Sequence, residues 1–339
     1  MQLFPTPSVD VVALDSSLQQ ALDGALASHA GFRGPCTLVA LEADGSRPMA
    51  HVAGDEMHFS ASLLKVAAMF AAYELRRAVR EVAADLGSRT TKARFFSDVA
   101  ATLDSRIVAA AAKIPAIARV TKANAVPSYR TVFVVTESDG ALEVSFAPAF
   151  EEHLSRMIAQ SDNASAGTCV RGVGYGYLAG ALVAAGFFDP RANKGIWLAG
   201  DYVQQAPYFR IPSVNDGPVA QATTTNAMAR LFVDLHDSTV ADSESCDAML
   251  ALLASAVAVP EVFIGRASAL DFSVTHTKVG VGPLKAKNGG ANVCAEGSIV
   301  RHDGTGRTFV VVWQNFVFGA DGFDPVGHLV RDTLRAYTG

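Results

Sequence analysis

The sequence predicts an α/β plus all-α fold: an antiparallel five-stranded sheet made from the two ends of the chain, flanked by terminal helices, with a large helical domain inserted. Three observations predict it. Strand-like runs bounded by turn residues cluster near both ends. Roughly two hundred residues between them are mostly helical in pattern. Helical segments lie close to each end of the chain. At 339 residues the chain suits one large composite domain or two, and with half its residues hydrophobic it can bury a large core.

The first helix is expected over about 17–29, with Leu18, Ala21, Leu22, Ala25 and Leu26 on one face. Strands 36–41 and 49–52 follow, around the turn signal Asp44-Gly45. A helix begins near Ser62, where the chain leaves the sheet. Further helices are expected over about 150–159, 225–235 and 247–256. Within this stretch 131–135 and 142–146, around Ser138-Asp139-Gly140, read as an added hairpin. Strand character returns at 272–278, 297–301 and 308–313, the last two around Asp303-Gly304, and a final helix covers about 326–337. These elements divide the chain into a discontinuous sheet domain, 1–61 with 265–339, and a helical domain, 62–264. The arrangement creates an interdomain cleft, a common place for a ligand site.

Composition excludes several classes. A net charge of −5, with no basic run and no aromatic-basic stripe, argues against a nucleic-acid partner. No apolar stretch approaches a membrane span. Met1-Gln2-Leu3-Phe4-Pro5 lacks a basic segment followed by an apolar one, so no signal peptide is visible; a cytoplasmic protein or a mature exported form fits. Cys36, Cys169, Cys246 and Cys294 are scattered, without ligand spacing, and read as buried free thiols. The eight histidines are equally scattered, so neither a metal nor another cofactor is expected. Gly172-Val173-Gly174-Tyr175-Gly176 follows a helical run without a preceding strand, and reads as close helix packing or a turn rather than a nucleotide loop.

The chemistry is carried by three short motifs. Ser62-Leu63-Leu64-Lys65 is the one place where a lysine follows a serine by three residues. The apolar run after it, 66–72, marks a buried helix. A lysine one turn from a serine on such a helix is set up as a general base beside a hydroxyl, because burial lowers an ammonium's pKa. Ser161-Asp162-Asn163 lies between two helical runs, where it could also be a helix cap. Lys278-Val279-Gly280 ends a strand.

In this order and context the three motifs resemble those of the serine β-lactamase and penicillin-binding-protein superfamily, nearest its class A side, which carries Ser-x-x-Lys, Ser-Asp-Asn and Lys-Thr-Gly. The resemblance extends over most of the chain, including the split α/β domain and Thr224-Thr225 ahead of a helix leading back to the sheet. It implies catalytic roles for Ser62 as nucleophile, Lys65 as base, Ser161 as proton relay, Asn163 as orienter of Lys65, and Lys278 as a source of positive potential. It also implies an oxyanion hole from the backbone N–H groups of Ser62 and Val281, and substrate contacts at Val279 and Gly280. The partner is then a small-molecule or peptide acyl substrate; oligomeric state is left open.

Two departures narrow the function. Val279 stands where the family usually has threonine or serine, so it offers no hydroxyl to a substrate carboxylate. A competing assignment of this motif, Lys287-Asn288-Gly289, reads better as a hairpin loop. Class A enzymes also carry a glutamate after Ser-Asp-Asn that activates the deacylating water, and residues 164–243 contain none. Asp201 is the acid of the corresponding region, and a turn or capping role suits it better. The expected function is a serine hydrolase forming a Ser62 acyl-enzyme with an ester or amide (a peptidase, amidase or esterase). The alternatives are a class A-like β-lactamase with an atypical deacylating base and a non-turnover penicillin- or peptidoglycan-binding module.

Overall fold

The structure, a computed structural model, describes residues 2–7, 12–138, 140–258, 263–285, 292–317 and 321–339. Its main sheet has six strands in the order Val12–Leu14, Arg47–Val52, Cys36–Leu41, Thr308–Phe316, Asn292–His302, Phe272–Pro283. The five expected strands are present and pair antiparallel. The sixth, Val12–Leu14, corrects the strand count: it adds to the edge in parallel, Val12 opposite Arg47 and Leu14 opposite Met49. Three residues are too few to show a period-two pattern, which is why the sequence gives no sign of it.

Alternation along the central strand explains the two layers. Phe309, Val311 and Trp313 enter one hydrophobic cluster with Leu18 and Leu22 of the first helix, Ser16–Ser28, and with Leu329, Val330 and Leu334 of the last, Asp324–Thr338. Val310 and Val312 face the larger cluster, formed with the helices between the sheet halves. A strand buried on both faces reads as a continuous apolar run, as Thr308–Phe316 does.

The centre of the larger cluster is the helix Lys65–Leu86, whose residues from Lys65 to Arg76 are all buried. Side-chain caps start several neighbouring helices: Asp15 Oδ1 accepts from Leu18 N (2.8 Å), Thr224 Oγ1 from Ala227 N (3.2 Å) and Asp242 Oδ1 from Ser245 N (2.7 Å). Helix Thr225–His236 is tied to the sheet where Thr37 Oγ1 meets Thr225 Oγ1 and Asn226 Oδ1, each at 2.7 Å. The added hairpin is present as Phe133–Ser138 and Ala141–Phe146, with Asp139 outside the described residues. Thr131 and Val132, expected in its first strand, belong instead to a helical turn, Tyr129–Val132, held by Val132 N donating to Ser128 O at 3.0 Å.

Gly174 separates helices Asn163–Val173 and Tyr175–Ala184 at φ +80°, and a Cβ there would lie 2.7 Å from Val126 O. The glycine-rich segment is therefore a tight helix junction. The four cysteines are buried and free. Desolvation pushes the Cys36 thiol up to about 12 and those of Cys246 and Cys294 to about 11, which keeps them protonated and unreactive. Among the described residues, no helix is long and apolar enough to cross a membrane.

Candidate active site

Ser62 sits in a single 3-10 turn, Ala61–Leu64, directly ahead of the Lys65 helix. The sequence places it in the helix itself. The tighter turn eclipses residues i and i+3, so Ser62 and Lys65 still share a face. The turn is entered through Ala61 at φ +45°, a conformation that costs a residue with a Cβ roughly 1–3 kcal/mol and has to be held by its surroundings.

The surroundings are the strand Phe272–Pro283, whose glycines let the turn approach. A Cβ at Gly280 would lie 2.3 Å from Ser60 O and 2.7 Å from Leu63 N, both backbone atoms. Gly280→Ala therefore has to push the strand off the Ser62 turn. The expected result is a loss of about 1–3 kcal/mol in denaturant stability together with slower modification of Ser62, measured on the same preparation. Unchanged values would show that the close approach is not required.

Lys65 is fully buried. Its Nζ donates to Ser161 O (2.5 Å), Asn163 Oδ1 (2.8 Å) and Ser161 Oγ (3.3 Å). Ser161 is in the left-handed region at φ +57°, which turns its carbonyl and its hydroxyl toward the same ammonium. The helix after it starts at Asn163, capped by Asp162, whose Oδ2 accepts from Ser165 N at 2.7 Å. The cap reading and the site reading of Ser161-Asp162-Asn163 thus both hold, on different residues.

Lys278 reaches the same hydroxyl from the sheet. It is 1% exposed, and its Nζ donates to Ser161 Oγ (2.9 Å) and Val279 O (3.1 Å). Four of the expected residues, Lys65, Ser161, Asn163 and Lys278, therefore meet through hydrogen bonds, and Ser62 sits in the turn just ahead of Lys65. Ser62, Asn163 and Val281 line a cavity of about 330 Å³. Val279 is not part of it: its side chain packs into the core between the sheet and the terminal helices, and only its carbonyl meets the site. Lys287-Asn288-Gly289 lies outside the described residues.

The model of the beta-lactamase enzyme family matches residues 130–312, more than half of the chain. The chain belongs to that family. It is a hydrolase of the β-lactamase-like superfamily. The matched segment contains Ser161, Asn163 and Lys278 and starts after Ser62 and Lys65, which the fold brings to them. Among solved structures, the β-lactamase from Burkholderia phymatum is 16% identical, with 97% of this chain and 100% of that one covered at a TM-score of 0.53. PBP-A is 14% identical, with 99% of each chain covered at 0.52. The β-lactamase from Sphaerobacter thermophilus is 19% identical, covering 95% of this chain and 97% of that one at 0.50. These likenesses show a shared β-lactamase/transpeptidase-like fold. No curated protein sequence matches.

Where this member of the β-lactamase family lacks the glutamate, its loop does something else. Asp201 is fully buried, its Oδ2 bound to Arg171 Nη1 (2.8 Å) and to Gln205 N (2.9 Å). It ties the loop to helix Asn163–Val173 and is not on the cavity wall. The next residue, Tyr202, places its ring 4.9 Å from Lys65 Nζ and donates its hydroxyl to Ala61 O at 3.5 Å. Burial, with Tyr208 beside it, holds the Tyr202 phenol well above its usual range, so it stays protonated. An aromatic face over an ammonium is attractive. Tyr202, Tyr208, Arg210 and Asp216, all from this loop and the chain after it, line the cavity and escaped the sequence reading. They come from a stretch without periodicity, and only proximity to Ser62 marks them.

Proposed function

We propose that this chain is a serine hydrolase that forms an acyl-enzyme on Ser62 with an ester or amide, of the peptidase, amidase or esterase type. The observation that carries the reading is the convergence of Lys65 and Lys278 on the Ser161 hydroxyl, beside the cavity that Ser62 lines. The shared hydroxyl joins Lys65 and Lys278 into one proton path. Ser62 Oγ bonds to the acyl carbon as its proton passes to Lys65. Ser161 then hands a proton to the leaving oxygen or nitrogen as its bond to the acyl carbon breaks. The N–H groups of Ser62 and Val281 receive the developing oxyanion, each such donor contributing roughly 3–4 kcal/mol to the transition state. Asn163 orients Lys65, and Gly280 keeps the strand close to the substrate. We place the cleft between a helical domain, 62–264, and a sheet domain, 1–61 with 265–339.

With Asp201 locked to Arg171 and Tyr202 over Lys65, hydrolysis of a penicilloyl ester is expected to be slow. Benzylpenicillin should give a mass increase of one penicilloyl group on Ser62 that persists for many minutes, and nitrocefin a stoichiometric burst followed by a stall. Failure to acylate with the penicillin and with a panel of activated esters overturns the reading. A second reading, sustained β-lactam turnover, is favoured by Asp216: among the described residues it is the acidic side chain on the cavity wall. Steady-state nitrocefin hydrolysis that is lost in Asp216→Asn would establish it.

A further inference from the structure

Charge is unevenly divided along the chain. Residues 87–130 hold eight lysines and arginines against two acids, Asp98 and Asp104, a net charge of +6. The other 295 residues carry −11. The cations are scattered over 44 residues and form no run, but the fold gathers them along the helix Phe95–Ala111 and the turns that flank it. Lys122 lies 3.3 Å from Asp104 of that helix, and the Arg130 guanidinium 5.4 Å from the centre of the Phe96 ring at its start. Both acids are occupied. Asp98 accepts from Thr90 Oγ1 (2.5 Å) and pairs with Arg94 (3.5 Å); Asp104 accepts from Tyr129 OH (3.2 Å) and faces Lys122. Lys92, Arg106, Lys113, Arg119 and Arg130 are exposed and have no carboxylate partner among the described residues.

The surface between these cations is poor in polar groups: Val108 is 37% exposed, with the exposed Ala101, Ala109 and Ala112 around it. The aromatic side chains of the segment, Phe95, Phe96 and Tyr129, are buried, so it offers no stacking platform for unpaired bases. At the start of the helix an open cavity of about 330 Å³ is lined by the hydroxyls of Ser97, Ser128 and Thr131 and by Arg130. None of these residues lines the cavity beside Ser62. Cations on long stems around an apolar patch suit a flat anionic surface: the stems reach phosphates while the patch meets the interface. The hydroxyls and Arg130 match a phosphodiester headgroup. We propose that this face docks the protein on an anionic phospholipid bilayer. A chain of net charge −5 can do so because the Debye length is about 10 Å at 0.1 M salt, so the near face decides. Each lysine or arginine brought to such a surface is worth about fivefold in partition. The inference does not depend on which residue is the nucleophile.

The test is sedimentation of the full chain with large unilamellar vesicles at neutral pH, one set of phosphatidylcholine alone and one with equal parts of phosphatidylglycerol. At low salt, partition onto the anionic vesicles should exceed that onto the neutral ones by about 10²-fold or more. It should fall more than about tenfold between about 25 and 300 mM NaCl. Arg106→Gln, Lys113→Gln and Arg119→Gln combined should lower it about 10²-fold. Arg33→Gln, Arg191→Gln and Arg301→Gln combined remove as much exposed charge outside this segment and should lower it far less. Equal melting temperatures of the two triple variants and the wild type show that the fold is kept. No preference for anionic vesicles overturns the proposal, as does a preference that survives the first triple variant or is lost equally in the second. Duplex DNA of about twenty base pairs, added at equal phosphate, should leave the protein on the vesicles. If it strips the protein off, the face is a nucleic-acid surface and the bilayer is not its occupant.

Discussion

Ser62→Ala will lose at least about 10³-fold in hydrolysis of 4-nitrophenyl acetate and will take up no acyl group from it. The expectation follows from placement. Ser62 lies on the cavity wall at the end of the central helix, in a turn clamped between Gly280 and Tyr202. In the proposed mechanism, removing the nucleophile costs nearly everything the unit supplies, because base and relay then have nothing to act on. The fold should not suffer: among the described residues no hydrogen bond of the Ser62 hydroxyl holds the turn, which closes through Leu63 N donating to Ser60 O at 3.1 Å. Melting temperature within a degree or two of wild type, beside lost turnover, separates chemistry from folding. Turnover that survives the substitution places the nucleophile elsewhere.

The parts of this site that were legible in the sequence are those written in buried, periodic elements. Lys65 betrayed itself because a helix apolar on every side has no ordinary reason to begin with a lysine, and burial makes its three oxygen partners necessary. Lys278 was legible through the strand that carries it, although that strand runs on to Pro283, paired as far as Asn292 of its neighbour. The 3-10 turn at Ser62 was not legible, since i and i+3 share a face in either helix type. Nor was the wall opposite Ser62. Tyr202 and Arg210 come from a loop whose conformation is set by the pairing of Arg171 with the buried Asp201 and by left-handed backbone at Tyr202 and Gln204. Asp201 shows the limit from the other side: its residue type suggested a weak base, and only its partners show a fastener.

Lys65→Met should separate base from scaffold. Methionine keeps the length and apolar contacts of the side chain and removes the amine. Acylation should fall by about 10²–10⁴, the usual worth of a positioned general base. Stability should change far less than the burial of Lys65 suggests. Three hydrogen bonds disappear, and the Ser161 and Asn163 acceptors left unpaired cost about 1–3 kcal/mol each unless water enters. Against this stands relief from burying an ammonium, and replacing buried ionic groups with apolar ones is often neutral or stabilising. Lys65→Arg supplies the contrast: it retains positive charge and donors but cannot release a proton near neutral pH. If Lys65 acts by charge alone, arginine should rescue acylation; if it acts as a base, both variants should be equally slow. Ser161→Ala combined with Lys65→Met should then cost much less than the product of the single effects, because both belong to one proton path. Multiplicative losses would instead mean that Lys278 drives Ser161 on its own, with Lys65 serving only to hold the Ser161 carbonyl in its left-handed turn.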